Sequence, residues 1–356
     1  MSNRKSMIPM GEEYIYYNAK LYNNTNAPLL ASLNDTRATS ILRNCCDYKC
    51  SIVRFSVNGS LLPLLVPKML STVSPPYITN YSVTLSFGGF SFVSPVVFTA
   101  PTNNQIRFGY YYFNAFIDDL NTAFQSAYTG LAGLIGLPAP DAPVMVWNPQ
   151  TQLFSLFFNE AYITNNIVIS MNYDLFNLFQ SFQTSFNGYF SPFGRDNDLI
   201  INNNNVIGAP FTAGSVSLQA STLTAPFVAL QQEFSSLTNW SPVASFYFTS
   251  YQIPIRNENL PITASNNQSS IVNNNSLPII TDFEPILGTD SEFNRGQTQY
   301  LPSAEYRYVS MQSDVNLSTI DLQCYWTNKQ GESFPLLIDL GYYISVKILF
   351  EMKTNL

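Results

Sequence analysis

Histidine is absent from this chain of 356 residues. That absence removes Ser-His-Asp and Cys-His nucleophile systems and every histidine-containing metal centre. Charge is scarce as well: Asp, Glu, Lys and Arg make up 11% of the residues, against roughly a quarter in an ordinary soluble domain. The polar surface therefore falls to Asn, Ser, Thr and Gln. Low charge combined with 15% aromatic residues suits a surface covered by neighbours, because interface cores lose charge and gain rings. A/T-rich coding would enrich Asn and Tyr equally well. The net charge of −7 argues against bulk binding of nucleic acid or of an anionic membrane, and Arg4 and Lys5 are too few for a basic arm. No apolar run approaches the roughly 20 residues of a transmembrane segment. The opening MSNRKSMIPMGEE lacks an apolar signal core, so synthesis in a reducing, cytosolic compartment is expected.

Cysteines are few: Cys45, Cys46, Cys50 and Cys324. Cys-Cys-x3-Cys is not a usual zinc spacing and no histidine completes it, so reduced thiols are expected. There is no phosphate loop and no Gly-x-Gly-x-x-Gly after a strand. Asp196-x-Asp198 starts like a calcium loop, but Ile201 stands where glycine is required. Paired carboxylates are the one acid–base arrangement left, at Glu12/Glu13, Asp118/Asp119 and Asp282/Glu284. Asp118 and Asp119 are expected to face solvent on a helix. Asp282 and Glu284 share one strand face, with nothing else converging on them. Arg54 and Arg307, each within an apolar strand pattern, are either interface cations or outward arginines whose stems cover sheet surface. No catalytic, cofactor-binding or metal-binding residue is nominated, no cofactor is expected, and an enzyme is the last of the readings.

What the chain does have is alternation. Ile320, Leu322, Cys324 and Trp326 point one way, with Asp321, Gln323, Tyr325 and Thr327 between them. Phe334, Leu336, Ile338 and Leu340 repeat the spacing. Ile344, Val346, Ile348, Phe350 and Met352 then oppose Tyr343, Ser345, Lys347 and Glu351. A period of two is the side-chain repeat of a strand with one wet face, which predicts an antiparallel sandwich or barrel. Tyr14–Ala19 alternates weakly. Val53, Phe55 and Val57 are expected on one face and Ile52, Arg54 and Ser56 on the other. Tyr81–Phe92 carries a Gly88-Gly89 hairpin signal. The middle changes period: Phe113, Phe116, Ile117, Leu120, Phe124, Ala127, Tyr128 and Leu131 recur at three and four, predicting a helix near 111–130 ended by Gly130 and the Gly133/Gly136/Pro138 region. A hairpin with arms Val144–Trp147 and Leu153–Phe158, a strand at Ile167–Met171 and a short helix over Tyr173–Phe186 follow. Residues 188–220 read as loop, 257–276 as an exposed polar insertion. The expected division is a discontinuous base, 1–104 with 221–356, and an inserted smaller α+β module at 105–220.

Short stretches also carry a resemblance. Ser51-Ile52-Val53-Arg54-Phe55-Ser56 with Leu62-Pro63-Leu64 is similar to the early strand of the penton-type minor capsid proteins of virophages and Polinton-like viruses. Phe246-Tyr247-Phe248-Thr249-Ser250 with Ile253-Pro254-Ile255 and Glu258 resembles them too, as does Ile280-Thr281-Asp282-Phe283-Glu284. So does the ending, Glu305-Tyr306-Arg307, Leu317–Trp326, Gly331, Pro335-Leu336 and Val346-Lys347-Ile348-Leu349-Phe350. Each motif is degenerate; their order from Tyr14 to Lys353 carries the likeness. The resemblance implies a mainly β fold, a jelly-roll antiparallel sandwich with an inserted module. It implies a homopentamer in the virion, closing the five-fold vertices beside trimers of a major capsid protein, made in host cytoplasm or a viral factory. Two alternatives stand beside it: a double-jelly-roll major capsid protein forming trimers, and a jelly-roll carbohydrate- or receptor-binding module.

Overall fold

The alternation of the last fifty residues becomes the frame of a sandwich in a computed structural model of the chain, which describes residues 14–70, 75–99, 109–191, 194–199, 206–207, 226–259, 276–284, 297–300, 307–329 and 331–353. Contact density divides the chain into two units, Met1–Leu62 with Val243–Leu356, and Pro63–Pro242.

The first unit is a jelly roll made from two five-stranded antiparallel sheets. In one sheet the strand Tyr14–Tyr22 pairs along its whole length with Tyr343–Met352, which pairs in turn with Tyr48–Asn58. Gln297–Tyr300 and Val309–Ser310 complete that sheet against Tyr48–Asn58. The other sheet runs Ile279–Phe283, Val243–Thr249, Thr319–Asn328 and Ser333–Pro335, with Ser32–Thr36 also on Thr319–Asn328. Apart from the hairpin of Thr319–Asn328 with Ser333–Pro335, neighbours in both sheets come from distant parts of the chain.

The inner faces follow the alternation. Ile320, Leu322, Cys324 and Trp326 are buried, as are Ile344, Val346, Ile348 and Phe350. Phe55 bridges the two sheets, its ring 5.4 Å from Phe246, 4.9 Å from Phe248 and 6.3 Å from Phe283. One face was misassigned by simple alternation. Lys347 pairs with Arg54 but Ile348 pairs with Ile52, so Val53 is the extra residue of a β-bulge. A bulge resets the phase, so Ile52 faces the core with Phe55 instead of facing outward with Arg54. Leu340, read as a core position, is 53% exposed beside the turn at Gly341.

The second unit combines a five-stranded sheet with a four-stranded one. The first runs Thr184–Ser191, Gly194–Leu199, Val168–Asn172, Tyr77–Phe87 and Phe90–Phe98; the second runs Val206–Ile207, Phe227–Gln231, Leu153–Asn159 and Val144–Asn148. The hairpin at 77–98, grouped by its alternation with the base, falls in this unit because Tyr77–Phe87 pairs with Val168–Asn172. Gly88 and Gly89 both take positive φ, which a two-residue turn matching the strand twist requires. The helix spans Phe113–Ile135 and buries Phe116, Ile117, Leu120, Phe124, Ala127 and Leu131, the expected stripe. It runs through Gly130 and ends at the far side of the expected glycine region. A Cβ at Gly130 would lie 2.5 Å from the Phe92 ring, so glycine admits a close contact, and the helix stops at Gly136 with φ +67°. The second helix is shorter than its pattern, Tyr173–Leu178, with the Asn172 side chain accepting from the Leu175 amide. The strand Thr184–Ser191 begins in residues read as the end of that helix and runs on into the stretch read as loop, where Gly194–Leu199 also lies.

Candidate assembly surface

The residues nominated from chemistry do not converge. Burial raises the Cys45 and Cys324 thiols and takes Cys50 to about 12. Acceptor contact with Asp314, then burial, takes Cys46 to about 11. Thiols held protonated are poor nucleophiles and poor metal ligands at neutral pH. Among the described residues no three His, Cys, Asp or Glu side chains come together as a metal site would need, and no helix is long and apolar enough to cross a membrane. Asp196 and Asp198 lie in the strand Gly194–Leu199, which pairs on both sides. Glu12 and Glu13 lie outside the described residues.

Asp119 corrects the picture of a solvated pair. It accepts from the Thr99 amide at 3.0 Å, the Thr99 hydroxyl at 2.7 Å and the Tyr110 hydroxyl at 2.7 Å, so it ties the helix to the strand end before it. Asp118 is exposed. Asp282 and Glu284 are both exposed on the outer face of Ile279–Phe283, with buried Phe283 between them. Arg307 precedes the short strand Val309–Ser310 and forms an ion pair with Asp282. Trp326 and Phe350 are core, the former stacked on Phe334 at 4.6 Å.

What the fold does assemble is two outer faces of opposite character. On the sheet of Tyr14–Tyr22, Tyr343–Met352 and Tyr48–Asn58, residues 52–56% exposed include Tyr14, Tyr16 and Tyr22. Lys347 reaches over the Tyr16 ring at 4.3 Å, and Lys20 over Tyr343 at 4.1 Å. Asn18, Lys347 and Arg54 stand in one row across three strands. Arg54 is half-buried, and its Nε is buried with no hydrogen-bond acceptor among the described residues. The face's carboxylate, Glu351, is engaged: it meets Lys49 at 3.1 Å, and hydrogen bonding from Tyr308, then Lys49, holds its pKa low.

The outer face of the other sheet carries Asp282, Glu284 and Asp321. Tyr247 and Tyr325 stack there at 5.2 Å, and Tyr251 is 60% exposed. Asp321 accepts from the Ser250 hydroxyl at 2.5 Å and from the amides of Tyr251 and Gln252 at 2.9 and 2.8 Å. Those donors are neutral, so the carboxylate charge stays on the face. Arg54 had been singled out from sequence; Lys20, Lys347 and Asp321 were not, because only the register brings them into these rows.

Comparison with known proteins bears on this chain as a whole. A family model described as V18-19, Sputnik minor capsid protein V18/19, matches residues 15–352. The structural protein V19 of Sputnik virophage is 29% identical over 214 residues, covering 58% of this chain and 93% of that protein. A chain in the cryo-EM structure of the Sputnik virophage superposes with a TM-score of 0.75 at 25% identity, covering 96% of this chain and 99% of that one. The crystal structure of the mavirus penton protein superposes with a TM-score of 0.63 at 19% identity, again over 96% of this chain and 100% of that one, which is a likeness of fold.

Proposed function

This chain belongs to the Sputnik minor capsid protein V18/19 family, and from that membership we propose that five copies form a ring closing the five-fold vertices of an icosahedral capsid. The family match across residues 15–352 carries the reading. The fold likeness to the mavirus penton protein over nearly the whole chain is consistent with it. In the ring the jelly-roll unit is the base, residues 63–242 are the inserted module, and trimers of a major capsid protein are the outer neighbours. A closed ring repeats one heterologous contact between unlike flanks of identical subunits, and a sandwich offers two such flanks, one per sheet. The low charge and abundant tyrosine of the chain suit subunits covered on both sides. The role is structural, without catalysis.

Negative-stain electron microscopy of the purified protein tests the reading. Class averages with five-fold symmetry are expected. Three-fold averages would replace the reading with a capsomer of the major-capsid type, and isolated single particles that never enter capsids would end it.

A further inference from the structure

The two outer faces of the jelly roll carry complementary charge. On the first, Lys20, Lys49, Lys347 and Arg54 stand against one carboxylate, Glu351, and that carboxylate is taken by Lys49. Lys347 lies directly opposite Arg54 in the strand register. Like charges in that position repel, so the pair costs stability in the isolated subunit unless a counter-charge arrives from outside. The second face presents Glu284, Asp321 and Asp282, the last in an ion pair with Arg307, beside which Arg256 lies at the rim. Each face also holds the tyrosines that interfaces favour: exposed Tyr14, Tyr16 and Tyr22 on the first, exposed Tyr251 and half-buried Tyr325 on the second, where Tyr247 is already buried under the Tyr325 ring.

We infer that the basic, tyrosine-lined face of the Tyr14–Tyr22, Tyr343–Met352 and Tyr48–Asn58 sheet docks on the Asp282, Glu284 and Asp321 face of the next copy of this chain. The inference deepens the ring reading and rests on it. Electrostatics selects the geometry. A two-fold dimer through either face sets cations against cations or carboxylates against carboxylates, whereas a head-to-tail contact pairs them, and only head-to-tail contacts close into rings. Nucleic acid is a poorer occupant of the basic face. Base stacking needs open ring faces, and the Tyr16 and Tyr343 rings are already capped by Lys347 and Lys20.

Charge reversal tests this, with assembly read by mass photometry and folding by thermal unfolding. Lys20→Glu with Lys347→Glu, and separately Asp282→Lys with Glu284→Lys, each raise the concentration needed for half assembly by about a hundredfold or more, since like charges are set face to face. The chain carrying all four substitutions regains rings, because the complementarity is restored with its sign exchanged. Without any substitution, wild-type rings weaken as salt rises. Reversal variants that fold and assemble like wild type would overturn this contact while leaving the ring reading intact. So would a four-fold variant that stays dissociated, or rings indifferent to salt. A wild type that never leaves the monomer would overturn both.

Discussion

The two units of this chain use their aromatic residues differently. In residues 63–242 the rings converge on Trp240. Phe154 stacks on it at 5.1 Å, Phe113 and Phe116 approach edge-on at 5.2 Å, and Phe179 lies at 5.6 Å. Its indole donates to the Leu178 carbonyl at 2.9 Å, so the ring is fixed by a hydrogen bond as well as by packing. In the jelly roll a smaller phenylalanine group around Phe55 joins the sheets, while Tyr14, Tyr16 and Tyr22 stand outside on one sheet face, with Lys347 over the Tyr16 ring. Rings that meet one another stabilise a subunit. Rings aligned on an exposed face with cations over them leave that packing area to the surface.

The largest test of that contrast is in the cores. Trp240→Ala should cost about 4 kcal/mol and Phe55→Ala about 3 kcal/mol, as large-to-small changes at closed sites do. Scanning calorimetry should show each substitution lowering the transition of its own unit. One transition shifted equally by both would erase the distinction. Next comes Asp119→Ala, which leaves the buried Tyr110 hydroxyl without its acceptor. A loss of about 2 kcal/mol in urea unfolding is expected, and an unchanged midpoint would mean that Asp119 is surface after all.

A pH experiment separates the sheet edges. Tyr17 is raised to about 12 by burial, then by its hydrogen bond to Asp35 at 2.7 Å. The folded state holds that proton more tightly than the unfolded chain, whose tyrosine titrates near 10. Its contribution is therefore present below pH 10 and lost as pH rises to about 12. Tyr17→Phe should flatten the alkaline loss of stability over that window, followed by the apparent Tm. Asp35 acts in the opposite sense: the Tyr17 hydrogen bond, then Arg37, lowers its pKa, so its contribution disappears as pH falls below the ordinary carboxylate range. The smallest effect is at the helix. Gly130→Ala should fall short of the usual gain of about 1 kcal/mol because of the Phe92 ring, and adding Phe92→Ala should release that helix-propensity gain. A full gain in the single variant would show that the ring moves freely aside.

Much of the frame was legible because strict alternation on a half-wet sheet leaves little ambiguity. Thr319–Asn328, Tyr343–Met352 and the Gly88-Gly89 hairpin follow directly from it, as the helix stripe follows from Phe116 to Leu131. The failures have identifiable causes. The bulge at Val53 moved Ile52 inward. Gly194–Leu199 is a strand despite Gly, Asp and Asn, residues depleted from strands, because neighbours on both sides supply its pairing. Phe92, distant in sequence, explains Gly130. The faces were the least legible part. Arg54, Arg307 and Asp282 stand out singly in the sequence, but the row of Arg54 with Lys347, and the pairing of Arg307 with Asp282, depend on contacts between widely separated segments.

The ring proposed above sets each subunit of this capsid protein between two copies of itself. Native mass spectrometry of the purified full-length chain at low salt tests it most directly. A dominant species of five subunits is the predicted result. A chain that stays at one subunit at every concentration, or settles at three, would contradict it.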